Sequence, residues 1–170
     1  MDDASDTCSF DHIVVPAGTG GTAAGLALGV RLGGIGARLH AVNVQHSPEL
    51  YYKGIAQDAA ALGVNLHSRG GIEEWISIHD GSGSGYARIL QEELEFLRKV
   101  SFKSGVLLDH VYTGKALYHF CQHARANAAD FRGKRVLYWH TGGMYGLYSR
   151  SKQLSRLMPP SQVQRMRPRM

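Results

Sequence analysis

The sequence predicts an α/β domain of three layers, with helices on both faces of a mostly parallel sheet, and three observations predict it. Short apolar runs alternate with longer stretches that carry apolar residues at helical spacing, the pattern of strands joined by helical crossovers. Two of those runs end in glycine loops, Gly18-Thr19-Gly20-Gly21-Thr22 and His140-Thr141-Gly142-Gly143. Parallel sheets gather their ligand loops at the carboxyl ends of the strands. The chain has 170 residues, 44% of them hydrophobic, enough for one domain with a core of its own.

In chain order, Ile13-Val14-Val15 reads as a buried strand, and residues 23–32 follow as a helix of small and apolar residues. Gly33-Gly34-Ile35-Gly36 is a turn, and residues 38–44 form a second buried strand, which completes a βαβ unit. Ser47 is the cap and Pro48 the first turn of a helix that runs to about Leu62, where Gly63 ends it. Residues 64–71 carry turn signals and one short possible strand. Trp75-Ile76-Ser77-Ile78-His79 then alternates as a strand does, and Asp80-Gly81-Ser82-Gly83-Ser84-Gly85-Tyr86 is a glycine-rich loop that delivers one aromatic at its end. A helix is expected over residues 87–99, with Ile89, Leu90, Leu94 and Leu97 on one face, and Gly105 closes this region ahead of the apolar Val106-Leu107-Leu108. Thr113 is the expected cap of a helix over residues 116–126, and residues 135–139 form the last strand. There is no internal repeat.

The formal charge of +5 is concentrated at one end. Arg150, Lys152, Arg156, Arg165, Arg167 and Arg169 lie in the last 21 residues, which hold no acid, and without them 13 bases face 14 acids. The body is therefore near neutral, which argues against a nucleic-acid partner; residues 155–170 read as a basic tail that frays in solvent, and residues 1–9 as a flexible lead. Cys8 and Cys121 have neither disulfide nor metal spacing, which suits a reduced, cytoplasmic setting. No apolar run is long enough to span a membrane, and the acidic start has the pattern of neither a signal nor a transit peptide.

The first glycine loop can cradle an anion, because bare backbone N–H groups and a helix start converge there. A nucleotide P-loop would end in Gly-Lys-Ser/Thr, whereas this loop ends in Gly21-Thr22-Ala23. A dinucleotide fold would put glycine at Ala23 and an acid near the end of the second strand, where the sequence reads Asn43-Val44-Gln45-His46. The phosphate loop of a pyridoxal phosphate enzyme needs only backbone donors and hydroxyls, and a plain strand-to-helix turn also fits.

Four stretches together are more specific: Gly18-Thr19-Gly20-Gly21-Thr22-Ala23-Ala24-Gly25-Leu26, Gly83-Ser84-Gly85-Tyr86, Leu108-Asp109-His110-Val111-Tyr112-Thr113-Gly114-Lys115-Ala116 and Trp139-His140-Thr141-Gly142-Gly143. In that order and spacing, residues 10–154 resemble the second half of the D-cysteine desulfhydrase and 1-aminocyclopropane-1-carboxylate deaminase family, pyridoxal phosphate enzymes of fold type II. The resemblance implies a pyridoxal-phosphate-binding domain, part of that fold's large domain. Gly18, Thr19, Gly20, Gly21 and Thr22 would hold the cofactor phosphate. Tyr112 would lie against the pyridine ring, Thr113 beside it, and Thr141 with Gly142 at the ring nitrogen. A neutral hydroxyl there favours elimination over transamination. Tyr86 and Tyr112 would be the catalytic tyrosines.

The resemblance also implies a small amino-acid substrate, D-cysteine converted to pyruvate, ammonia and sulfide, and a homodimer in the full-length form. Thr113, standing where the deaminase branch has glutamate, favours the desulfhydrase over the cyclopropane deaminase. His110 and Tyr145 depart from the family pattern and would reshape the pocket mouth. The Schiff-base lysine and the Ser-Asn loop belong to the family's first half, so this chain alone is expected to be inactive. A non-catalytic half that keeps only the phosphate-binding fold is the rival, and a mitochondrial location is the alternative if a leader precedes Met1. Lys115 reads as a helix-start lysine, and His119 with His123 as a surface pair, not a metal site.

Overall fold

The computed structural model describes residues 9–45, 48–64 and 71–157. Strand β1 (His12–Ala17) is buried along its whole length and leads into helix α1 (Gly21–Leu32). Strand β2 (Arg38–Asn43), helix α2 (Pro48–Ala61) and strand β3 (Ile76–Asp80) follow, with a single 3-10 turn at Ile72–Glu74 before β3. Helices α3 (Gln91–Ser104) and α4 (Thr113–Ala126), the short α5 (Ala128–Phe131), strand β4 (Val136–Tyr138), a 3-10 segment Met144–Arg150 and helix α6 (Ser151–Leu157) complete the chain. The expected cap Ser47 and the possible strand within residues 64–71 fall largely outside the described residues, as do most of the lead and the basic tail.

All three strand pairings are parallel, in the order β3-β2-β1-β4. One core lies between the sheet and α1 with α2, built on Ile13, Val15, Leu39, Ala41, Ile55 and Ile76. The opposite face packs Val14, Val42 and Val44 against Ala116 and Phe120 of α4. The alternation of strand residues between these two cores is the period-2 pattern of a strand buried on both faces. Helix α3 packs on α4, where the crossing is tight: a Cβ on Gly114 would lie 2.5 Å from Leu97 Cγ and from the Asp109 carbonyl oxygen.

Several boundaries depart from expectation, each for a local reason. Helix α3 starts at Gln91 and not at residue 87, because Ala87 takes a left-handed φ of 56° and Glu93 Oε2 accepts the Leu90 N–H at 2.7 Å. Leu90 therefore stands outside the helix and exposed, while Leu94 and Leu97 are buried as expected. The helix runs on to a left-handed Gly105. Helix α4 begins three residues early, at Thr113, because Asp109 caps it.

The histidines of α4 are not a surface pair. His119 Nε2 lies 2.9 Å from Glu93 Oε1 in α3, and the His123 ring packs on His79 with centroids 4.1 Å apart. Three strand histidines form a file on this face: His12 Nδ1 is 2.9 Å from His40 Nε2, and His40 Nδ1 is 2.8 Å from His79 Nε2. Among the described residues no cluster of three or more histidine, cysteine or acidic groups could hold a metal, and no helix is long and apolar enough to cross a membrane.

Candidate active site

The loops that follow β1, β3 and β4 leave the sheet at its carboxyl edge, and α4 starts beside them. Gly20, with φ of 102°, is the residue before α1, a conformation that favours glycine. Among the described residues no side chain caps this helix start, and Thr19, Gly21 and Thr22 are exposed. The free N–H groups and the partial positive end of a 12-residue helix therefore face outward together. Tyr51 of α2 supports the loop from below, donating its hydroxyl to the Ala17 carbonyl at 3.0 Å and lying against Gly20. Burial raises the Tyr51 pKa to about 12.

Tyr112 stands over this loop. A Cβ on Gly18 would lie 2.7 Å from Tyr112 Cε1, so the bare backbone of Gly18 is what lets the ring come so close. The Tyr112 hydroxyl shares a hydrogen bond of 2.7 Å with the Tyr86 hydroxyl, which comes from the loop after β3. That bond, followed by burial and the neighbouring Tyr86 and Asp109 charges, raises the Tyr112 pKa to about 12, so Tyr112 holds its proton across the neutral range. Gly18, Tyr86 and Tyr112, three of the expected residues, are thus brought together.

Asp109, and not the expected cap Thr113, organises the α4 start. Its carboxylate accepts the N–H groups of Val111, Tyr112 and Thr113 at 2.7, 2.8 and 2.8 Å. Thr113 is itself buried; its hydroxyl accepts the Asp109 N–H at 2.9 Å and donates to Asp109 Oδ1 at 2.7 Å. Those bonds use the hydroxyl inside the protein, so the Thr113 side chain braces Tyr112 from behind instead of lining the pocket. An Asp ahead of a helix is itself a capping signal, and the Asp four residues before Thr113 could have been read that way.

Thr141 and Gly142 sit in the loop after β4, next to β1, since the Trp139 N–H donates to the Val14 carbonyl at 2.8 Å. His140 fixes this loop. Its Nδ1 accepts the Gly142 N–H at 3.0 Å, which leaves Nε2 to donate to the Leu107 carbonyl at 2.8 Å. A Cβ on Gly143 would lie 2.8 Å from Asp109 Oδ1. Asp109 therefore packs against the bare backbone of Gly143, with the Tyr112 turn on its other side. Thr141 is exposed beside it.

The model of the pyridoxal-phosphate dependent enzyme family matches residues 2–142. The chain belongs to that family. It is 39% identical over 153 residues to a bifunctional D-cysteine desulfhydrase/1-aminocyclopropane-1-carboxylate deaminase, mitochondrial, of Arabidopsis thaliana, covering 90% of this chain and 37% of the relative. A D-cysteine desulfhydrase of Yersinia pestis is 29% identical, over 89% of this chain and 46% of its own length. A crystal structure of an ACC deaminase homologue superposes with a TM-score of 0.73 at 33% identity, over 91% of this chain and 46% of that one. The chain thus spans less than half the length of these relatives, and its four-stranded parallel sheet with flanking helices is that part of the fold.

The residues present fit the family's cofactor. An uncapped helix start suits a phosphate, an aromatic held over a glycine suits a pyridine ring, and an exposed threonine hydroxyl at the third loop suits a ring nitrogen. Lys115, expected as a helix-start lysine, is a buried part of the site's support. It is fully buried, its Nζ donating to the Gly85 carbonyl at 2.7 Å and the Arg88 carbonyl at 2.9 Å. Desolvation lowers its pKa, with Glu93 and Asp80 acting in the opposite direction. A lysine at the start of a helix gives no sequence signal for such burial. His110 is also buried, with Nδ1 lacking a hydrogen-bond partner, and burial lowers its pKa.

Proposed function

We propose that this chain is the part of a pyridoxal-phosphate-dependent lyase that holds the cofactor, and that D-cysteine is the substrate of the complete enzyme. The observation that carries the reading is the approach of the Tyr112 ring to the bare Gly18 backbone at the head of an uncapped helix, with the Tyr86 hydroxyl bonded to Tyr112. Gly18, Thr19, Gly20, Gly21 and Thr22 hold the phosphate through backbone N–H groups and hydroxyls. Tyr112 flanks the ring, and Thr141 with Gly142 meets the ring nitrogen as a neutral partner. Bound there, pyridoxal phosphate supplies the electron sink that lets an amino acid lose its α-proton and then a β-substituent. The Tyr86 and Tyr112 hydroxyls, 2.7 Å apart, orient the substrate and hold a proton between their two oxygens. The preference for sulfide elimination over cyclopropane ring opening is supported by the motif forms Tyr112-Thr113-Gly114-Lys115 and His140-Thr141-Gly142-Gly143, which resemble the desulfhydrase branch.

Calorimetric titration with pyridoxal phosphate, pyridoxal and inorganic phosphate tests the binding half of this reading. The phosphorylated cofactor is expected to bind most tightly, and equal affinity for pyridoxal would reject the phosphate assignment. For the chemistry, the lysine-bearing first half of a desulfhydrase relative is supplied in trans. Sulfide release from D-cysteine is expected from the pair and not from the chain alone. Release of 2-oxobutyrate from 1-aminocyclopropane-1-carboxylate in its place would move the assignment to the deaminase.

A further inference from the structure

The loop that carries Tyr86 lies on an unusual foundation. Beneath residues 81–90 sit Lys115, Glu93 and His119, the first two with no solvent exposure. Glu93 Oε1 is 2.9 Å from His119 Nε2, and Glu93 Oε2 accepts the Leu90 N–H at 2.7 Å. Lys115 Nζ reaches up to two main-chain carbonyls, those of Gly85 and Arg88, which bracket Tyr86 on either side. The loop presses directly on this cluster. A Cβ on Gly83, whose φ is 53°, would lie 2.9 Å from Glu93 Oε1, 3.0 Å from His119 Nε2 and 3.2 Å from Lys115 Cε.

A buried amine is costly unless its protons find acceptors, and an apolar side chain would fill the same space without that cost. Two carbonyls three residues apart, on either side of one tyrosine, fix both ends of the segment that carries it. The tyrosine's own hydroxyl then meets Tyr112, the residue just ahead of α4 and three before Lys115. The start of α4 thus governs both partners of the tyrosine pair, Tyr112 from its N-cap position and Tyr86 through the Lys115 contacts to the loop.

We propose that Lys115 is a positioning residue, whose side chain clamps the Gly85 and Arg88 carbonyls and so sets the Tyr86 hydroxyl against Tyr112. The inference rests on the reading of Tyr86 and Tyr112 as the proton-handling pair, but its geometry stands without bound cofactor. Glu93 and His119 are the floor of the clamp, Glu93 holding the α3 start in register with the loop.

The test is carbon-13 NMR of the full chain with the tyrosine Cζ positions labelled, without cofactor. In the wild-type chain Tyr86→Phe shifts the Tyr112 signal, which marks the hydrogen bond. Lys115→Met is expected to move the Tyr112 signal to the position it takes in Tyr86→Phe, with the loop amides of residues 83–88 exchanging faster. A folded Lys115→Met chain with an unmoved Tyr112 signal would overturn the proposal and leave Lys115 as core filling. If that variant does not fold, Lys115→Gln decides, since its shorter side chain keeps a polar head but cannot span both the Gly85 and the Arg88 carbonyls. The same displacement of the Tyr112 signal supports the clamp, and an unchanged signal overturns it. Because no cofactor is present, a failure here is separate from a failure of pyridoxal phosphate binding.

Discussion

Asp109 is where fold and candidate site are most tightly joined, so replacing it by asparagine is the most informative single change. The carboxylate, 2% exposed, accepts two N–H groups on Oδ2 and, on Oδ1, one N–H and one hydroxyl. Asparagine keeps the shape and one acceptor oxygen, but its NH₂ group faces donors. Two bonds to a charged acceptor are lost at about 1.5–3 kcal/mol each, and solvent reaching Val111 and Tyr112 recovers part of that. The net cost is about 3 kcal/mol, with the loss of a helix cap, about 1 kcal/mol, included in it. That is a change of roughly 100-fold in the folding equilibrium, and for a chain of this size a fall of about 6–12 °C in Tm. Urea and thermal unfolding followed by circular dichroism measure it. The same substitution is expected to weaken pyridoxal phosphate binding, because the Tyr112 turn is held by this carboxylate and the Gly143 backbone packs against it. A shift in stability below about 0.5 kcal/mol, the range of ordinary surface changes, would refute the capping account.

Other predictions follow from the same contacts. Gly18→Ala puts a methyl 2.7 Å from Tyr112 Cε1 and forces the ring away, so the affinity for pyridoxal phosphate is expected to fall about tenfold, by titration, with little change in Tm. Gly114→Ala places a Cβ 2.5 Å from Leu97 Cγ and from the Asp109 carbonyl, and is expected to cost about 1–3 kcal/mol in urea unfolding by parting α3 from α4. The histidine file gives a pH dependence. Burial first, then the charges of His79, His12, Arg38 and His123, lowers the His40 pKa to about 3, and burial with His123 and Arg38 lowers that of His79 to about 4. The unfolded chain takes up these protons near pH 6.5, and the folded chain only near pH 3–4, so the histidine contribution is complete above pH 6.5 and is lost as pH falls through that window. Urea midpoints between pH 7 and 4 are expected to fall less steeply for His40→Phe than for the wild type, and parallel slopes would reject the assignment.

What was legible in the sequence divides along a physical line. A strand buried on both faces announces itself as an apolar run, as Val14 and Val15 do, and the half-exposed edge strand expected over residues 135–139 is legible from its apolar residues and the glycine loop that follows it. The glycine loops are legible too, because a strand that ends in bare backbone before a helix has few uses. Polar groups that act inside the protein were not legible. Thr113 reads as a cap because threonines cap helices, yet the Asp109 carboxylate four residues earlier reaches three N–H groups at once, and only the folded turn decides between them. Likewise Ala87 is an ordinary helix residue until the Lys115 amine holds the carbonyls around it and its φ becomes positive.

The same division explains why the site could be named before it could be built. The residues expected to touch a cofactor carry their chemistry in their own type: bare glycines, a flat aromatic, a neutral hydroxyl. Those that hold them in place do so through burial, which one residue's identity does not encode. His140 illustrates the difference, since its value lies in the tautomer that two main-chain partners impose, one on each ring nitrogen. Asp109, Lys115 and His140 each bind main-chain groups of a loop, and each loop carries one of the residues read as functional. A site assembled in this way tolerates changes at its lining better than changes at its braces. The braces each hold several backbone groups that water cannot fully reach once the side chain is gone, whereas an exposed side chain such as Thr141 can be replaced without leaving a buried group unpaired.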